Sequence, residues 1–231
     1  MQLTGDLVEL GLGVHTFDEV VELIRAGWDP FLTDADLPIG LDLLEQLIAH
    51  RTDDTHSLDK FAVPMLSRIG PHNVRRIPSA ALAVAVDIAP SFGLTVEVPS
   101  PEATAVKPPE AIRPGARIAL YSLHEQALSR AAKILRERHP GLEIHVSADH
   151  MSTEALRAIA RTADLFVVMD RAAAHAATNA IKAERPTATI RYAAGKGSTS
   201  MIEAAETWLR EKATPPSHSH AVDGTISASG R

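Results

Sequence analysis

Cysteine occurs nowhere in these 231 residues. That excludes disulfide scaffolds, thiolate zinc sites and thiol catalysis. No apolar run approaches the roughly 20 residues that cross a bilayer. The start, Met1-Gln2-Leu3-Thr4-Gly5-Asp6, lacks the basic residues and apolar core of a signal peptide. A cytoplasmic chain with no membrane partner is the expectation. Catalytic signatures are missing too: there is no P-loop, no nucleophile elbow and no helical histidine pair of the metalloprotease type. Asp149, His150, Asp170 and His175 are chemically able to ligate a metal, but without such a pair no metal is expected. Which cofactor the chain uses is not specified by these residues.

What is present is the composition of a globular chain, 45% hydrophobic and 23% charged. There is room for one large or two small domains. The net charge of −6 is unevenly spread, since residues 1–95 carry 6 basic and 14 acidic side chains whereas residues 116–212 carry 14 and 11. The mildly basic second half suits a small anionic ligand. The acidic first half argues against nucleic acid lying along it. One local exception is His72-Asn73-Val74-Arg75-Arg76, a compact basic turn without a helix-turn-helix pattern around it.

Residues 1–95 read as a small helical domain. Thr16-Phe17-Asp18-Glu19 has the spacing of a capping box, followed by an apolar stripe at Val20, Val21, Leu23 and Ile24 and a stop at Gly27. Asp36-Leu37-Pro38 opens a second helix, with Leu41, Leu44, Leu47 and Ile48 on its apolar face. A third is expected over 60–68. Ser79 is placed as the cap of an apolar segment, Ala80 to Ala89, which reads as a buried central helix, with a strand as the alternative. The prolines between 96 and 115 mark an extended linker. Residues 213–231, which include His218 and His220, read as a disordered tail.

Residues 116–212 alternate strand and helix patterns. Strands are expected over 117–121, 142–146, 164–169 and 187–192, and helices over 124–138, 153–162, 172–183 and 201–212. Strands separated by helices imply right-handed crossovers and a parallel sheet covered on both faces. The fold class is therefore α/β: a helical N-terminal domain followed by a four-stranded parallel Rossmann-like or flavodoxin-like domain, with strand order 2-1-3-4.

In such a sheet, ligands gather beyond the carboxyl ends of the strands. That topology selects Ser122 and His124 after the first strand, and Ser147, Asp149 and His150 after the second. It selects Asp170, Arg171 and His175 after the third, and Gly195 to Thr199 after the fourth. A glycine turn leading into a helix aims backbone N–H groups at one spot. Gly195, Lys196, Gly197, Ser198 and Thr199, with Arg171, are thus the candidate seat for a phosphate-bearing anion. His175, Asp170 and His124 are the candidate acid–base residues. Each also has a structural reading: Ser122–Glu125 and Ser200–Glu203 as capping boxes, Asp170 as an N-cap, and Gly195 and Gly197 as residues needing positive φ.

The segments Ala163-Asp164-Leu165-Phe166-Val167-Val168, Ala174-His175-Ala176, Ile181-Lys182 and Gly197-Ser198-Thr199-Ser200-Met201 resemble a small bacterial Rossmann-like domain family of unknown function. The likeness covers only the C-terminal half. It implies an accessory domain used for sensing or scaffolding, phage defence included. The Gly-x-Gly-Ser-Thr turn with Glu203 downstream is also similar to that of the lysine-decarboxylase-like phosphoribohydrolases, though their leading Pro-Gly-Gly is missing. Three functions follow as expectations. The first is a ligand-sensing or adaptor protein with a partner on residues 1–95. The second is a nucleotide- or phosphoester-acting enzyme, and the third a pure protein-interaction module.

Overall fold

The computed structural model describes residues 14–28, 33–50, 56–98, 115–169 and 175–213. Among these residues four helices come first: α1 (Val14–Trp28), α2 (Leu37–Ala49), α3 (His56–Ser67) and α4 (Ser79–Ile88). A 3-10 turn, Ala89–Phe92, closes this part. Then β1 (Arg117–Tyr121), α5 (Glu125–Arg138), β2 (Glu143–Ser147), α6 (Glu154–Thr162), β3 (Leu165–Val168), α7 (His175–Glu184), β4 (Ile190–Tyr192) and α8 (Ser198–Ala213) follow. The expected α/β class, parallel pairing and strand order β2-β1-β3-β4 are all observed. The proline-rich segment after Val98, Asp170, Arg171 and the tail from residue 214 onward lie outside the described residues. Among the described residues, no helix is long and apolar enough to cross a membrane.

The strand order dictates where the helices lie. Moving from β1 to β2 and then back across β1 to β3 reverses direction. Right-handed crossovers therefore put α5 on one face and α6 and α7 on the other, and α8 returns to the face of α5. The strands alternate to match. Ile118 and Leu120 join the cluster under α5 and α8, while Ala119 and Tyr121 join that under α6 and α7. Every residue of β3 is buried, as both faces require.

The N-terminal helices share the first of these cores. Leu41 and Leu44 of α2, Val84 and Ala85 of α4, Ala131 and Leu135 of α5, and Met201, Ile202 and Ala205 of α8 belong to one apolar cluster with β1 and β3. The predicted central helix forms, burying Ala80, Ala81, Val84, Ala85 and Ile88, so the strand alternative for this segment is not adopted.

Several element ends differ from the sequence expectation. α1 already begins at Val14 and runs through Gly27, so Thr16 stands inside the helix rather than at its cap. The helix ends at Trp28, one residue past the expected stop at Gly27, and a Cβ at Gly27 would meet open space. α3 starts at His56 and carries Pro64 in its interior. Pro78, not Ser79, precedes α4, and Ser79 is used by Arg138, which donates to its Oγ at 2.9 Å and its carbonyl at 2.7 Å. The last strand is shortened because Thr187–Thr189 forms a 3-10 turn before it.

Leu44 is fully buried at the centre of the shared cluster. Leu44→Ala should cost about 2–5 kcal/mol, the range for deleting a buried leucine side chain. Hydrogen exchange should show the amides of β1 losing protection together with those of α2. Loosening confined to α2 would mean that the cluster is not one cooperative unit.

Candidate functional site

An anion does sit at the start of α8, and the chain itself supplies it. Asp42 and Glu45, one turn apart on α2, are 3% and 4% exposed. The Ser198 amide donates to Glu45 Oε2 at 2.5 Å and the Ser198 hydroxyl to Glu45 Oε1 at 2.9 Å. The Ser200 amide donates to Asp42 Oδ1 at 3.4 Å, and its hydroxyl donates to Asp42 Oδ2. These carboxylates satisfy amides that a helix start leaves without partners and meet the positive end of its dipole. This explains why α8 begins at Ser198, three residues before the expected Met201. Ser200 lies within the first turn, bonded to Asp42 rather than closing a capping box with Glu203.

The glycines have a different reason from the one expected. Among the described residues only Gly93 and Gly115 have positive φ. Gly195 and Gly197 are required by close approach instead. A Cβ on Gly197 would lie 2.6 Å from the Cα of Asp42, and one on Gly195 would lie 2.6 Å from Ser200 Oγ. The turn is thus the floor on which α2 rests. Thr199 is fully buried there, its Oγ1 without a hydrogen-bond partner.

Behind the carboxylates runs a charged network. Arg130 of α5 pairs with Glu45 and, at 2.8 Å, with Asp87 of α4, which also holds Lys133. Burial by itself would lower the Arg130 pKa, but Glu45 and Asp87 hold it above the ordinary guanidinium value. Burial pushes Asp42 the other way, and Glu45 adds to it. Against hydrogen bonds from Ser200 and Gly197, its pKa is raised to about 7.

The remaining candidates are dispersed. Lys196 and His124, both half-buried, line one cleft of about 300 Å³ with Glu45, Gln46, Glu125 and Gln126. His124 is the residue before α5 and makes no side-chain cap; Ser122 Oγ accepts from the His124 amide at 3.0 Å. His175 is exposed at the start of α7, on the opposite face of the sheet from α5 and α8. Asp149 braces the start of α6, accepting from Ser147 Oγ at 3.1 Å and Thr153 Oγ1 at 2.8 Å, while Tyr121 donates to its carbonyl at 2.7 Å. Among the described residues, no group of three histidines or carboxylates could hold a metal.

Asp42 and Glu45 were not among the sequence candidates. The signal that could have pointed to them is two acids on the apolar stripe of α2, at positions that an amphipathic helix fills with leucine.

Two outcomes check this account. Gly197→Ala should destabilise by about 2 kcal/mol or more, because the backbone of α2 must move. Gly27→Ala, in open helical space, should be neutral or stabilising by about 0.5–1 kcal/mol. The second outcome concerns pH. A carboxyl whose folded pKa lies above its unfolded value of 3.8 favours the fold at low pH and loses that contribution as pH rises to about 7. The stability of Asp42→Asn relative to wild type should therefore increase between pH 5 and pH 8 by at least about 1 kcal/mol. Urea midpoints at the two pH values measure this, and a difference that does not change with pH contradicts it.

No curated protein and no solved structure matches the chain. A family match does exist, and it covers residues 1–204. It is not confined to the C-terminal half, as the resemblance read from the sequence was, but takes in α1 to α4 together with the sheet. The chain belongs to the DpdD-like family.

Proposed function

We propose that this protein is a non-catalytic, cytoplasmic adaptor, an accessory component of a bacterial defence or regulatory system. The observation that carries this reading is the filled helix start: Glu45 and Asp42 take the amides of Ser198 and Ser200 that a phosphate substrate would need. A seat occupied by the protein's own buried carboxylates, with Glu45 ion-paired to Arg130, serves to clamp the N-terminal helices onto the sheet. The dispersal of His124 and His175 to opposite faces supports the same reading over an acid–base enzyme. Membership of the DpdD-like family supports the defence setting.

A second reading, in which the carboxyl edge senses a phosphate-bearing ligand such as a nucleotide, is favoured by one observation: Lys196 and His124 share a cleft. In that reading Gly195, Lys196, Gly197, Ser198, Thr199 and Arg171 bind the anion once α2 has been displaced.

Co-expression with the proteins encoded beside it tests the adaptor reading. The expected result is a stoichiometric complex that survives gel filtration, with no turnover of nucleotides or phosphoesters by the chain alone. A chain that stays alone and hydrolyses such a substrate, with loss of turnover in His124→Ala, would falsify it. Calorimetric titration with nucleotides, compared with Lys196→Ala, decides the second reading.

A further inference from the structure

The acidic half of the chain contains one stretch that breaks its own pattern. From Phe61 to Val86 there is no aspartate or glutamate at all, and three of the six basic residues of 1–95 fall at Arg68, Arg75 and Arg76, with His72 between them. All four side chains are exposed. The fold draws this stretch into the turn between α3 and α4 and lays it against the residues before α2. There, Arg68, His72, Arg76, Thr33, Asp34 and Ser67 line an open cleft of about 860 Å³.

The cleft is held in shape before any ligand arrives. Asn73, 5% exposed, accepts from the Gly70 amide at 2.9 Å and donates to Asp34 Oδ1 at 2.8 Å and to the Arg68 carbonyl at 3.0 Å. Asp34 Oδ2 in turn holds Arg76 Nε at 3.0 Å. Two helices start at its rim, α2 after Asp36 and α4 after Pro78, and neither is capped by a side chain. The Asp36 carboxylate is turned back onto the Thr33 amide at 3.0 Å and hydroxyl at 2.6 Å. Among the described residues, Arg68, His72 and Arg76 line this space with the Asp34 carboxylate, and the Asp36 carboxylate stands at its rim beside Thr33.

We propose that this cleft binds a phosphate-bearing small molecule of nucleotide size, a site separate from the carboxyl edge of the sheet. Volume and chemistry select the class. The cavity lies within the range of about 300–1,000 Å³ that encloses small ligands. Arginine forks match phosphate oxygens. Asp34 adds an acceptor suited to the hydroxyl or amino groups that accompany phosphate in a nucleotide. A polyanion would run beyond the patch onto the acidic surface of residues 1–95. A compact anion is governed by charges within the screening length of about 8 Å at physiological salt, and around the cleft Arg68, Arg75 and Arg76 outnumber Asp34 and Asp36 among the described residues. The site goes beyond the adaptor reading and does not depend on it.

The test is a titration of the isotopically labelled full chain, followed by amide NMR, with adenosine 5′-monophosphate, inorganic phosphate and adenosine as probes. The monophosphate should shift the amides of residues 68–76 and Asp34 along a saturable curve. Inorganic phosphate should do so more weakly, and adenosine not at all. Arg68→Ala should weaken the monophosphate by about tenfold, the loss of one charge-assisted contact, while Arg191→Ala, on the far β4 strand, should leave it unchanged. Because removing Arg76 would also release Asp34, which Asn73 uses to shape the cleft, Arg68→Ala is the preferred variant, and an unaltered urea midpoint shows that it still folds. The proposal is overturned if residues 68–76 show no saturable shift. It is equally overturned if Arg68→Ala binds like wild type, or if the shifts centre on His124 and Lys196–Ser200 instead.

Discussion

Two carboxylates of one helix seated at the amino end of another hold this structure together. Asp42 and Glu45 reach from α2 to the start of α8, and almost everything distinctive about the molecule follows from that contact. It sets the first residue of α8, requires glycine at 195 and 197, and brings Arg130 and Asp87 into a charged network linking α2, α4, α5 and α8. Buried ionic groups are costly to bring out of water and add little net stability compared with apolar packing. Removing one partner, however, leaves the other charge stranded. Such a contact is better suited to fixing how two layers meet than to strengthening them.

The apolar cluster contributes the bulk of the attraction between those layers, and the polar contact selects the register. Leucines and alanines along α2, α4, α5 and α8 would tolerate sliding by a turn, since any such slide still buries hydrocarbon. The carboxylates do not tolerate it: moved by one turn, Asp42 would lose Ser200 and the space made by Gly197. The raised pKa of Asp42 is the cost of that seat, a charge held where burial disfavours it. The DpdD-like match across residues 1–204 fits this picture, because the helices and the sheet are two sides of one contact.

Much of the architecture was legible from residue pattern. β1 was predicted to the residue and the other strands to within a few, and the order 2-1-3-4 expected of a doubly wound sheet is the one observed. The buried α4 was readable because nothing in Ala80–Ala89 except Asp87 wants water. Helix starts were read poorly, because the same serines and threonines that mark a cap also serve as partners in tertiary contacts. Ser79 receives Arg138, Ser122 meets Met169, and Ser200 meets Asp42. Arg185 was missed for a related reason. Only 8% exposed, it lies over Phe166 and donates to the carbonyls of Ala160 and Asp164, a role no local spacing announces.

The glycine turn shows where the division falls. Sequence alone determined that a glycine turn at Gly195–Gly197 would feed a helix, though that helix starts at Ser198 rather than Met201, and that amides at such a junction would want an anion, because those are properties of a few consecutive residues. It also determined the parallel sheet, since periodicity and alternation act over short distances. Only the tertiary structure decided which anion was at hand. Asp42 and Glu45 stand more than 150 residues from the amides they meet. Their charge, in an acidic and apparently separate half of the chain, carries no mark of its destination until packing brings α2 over the turn.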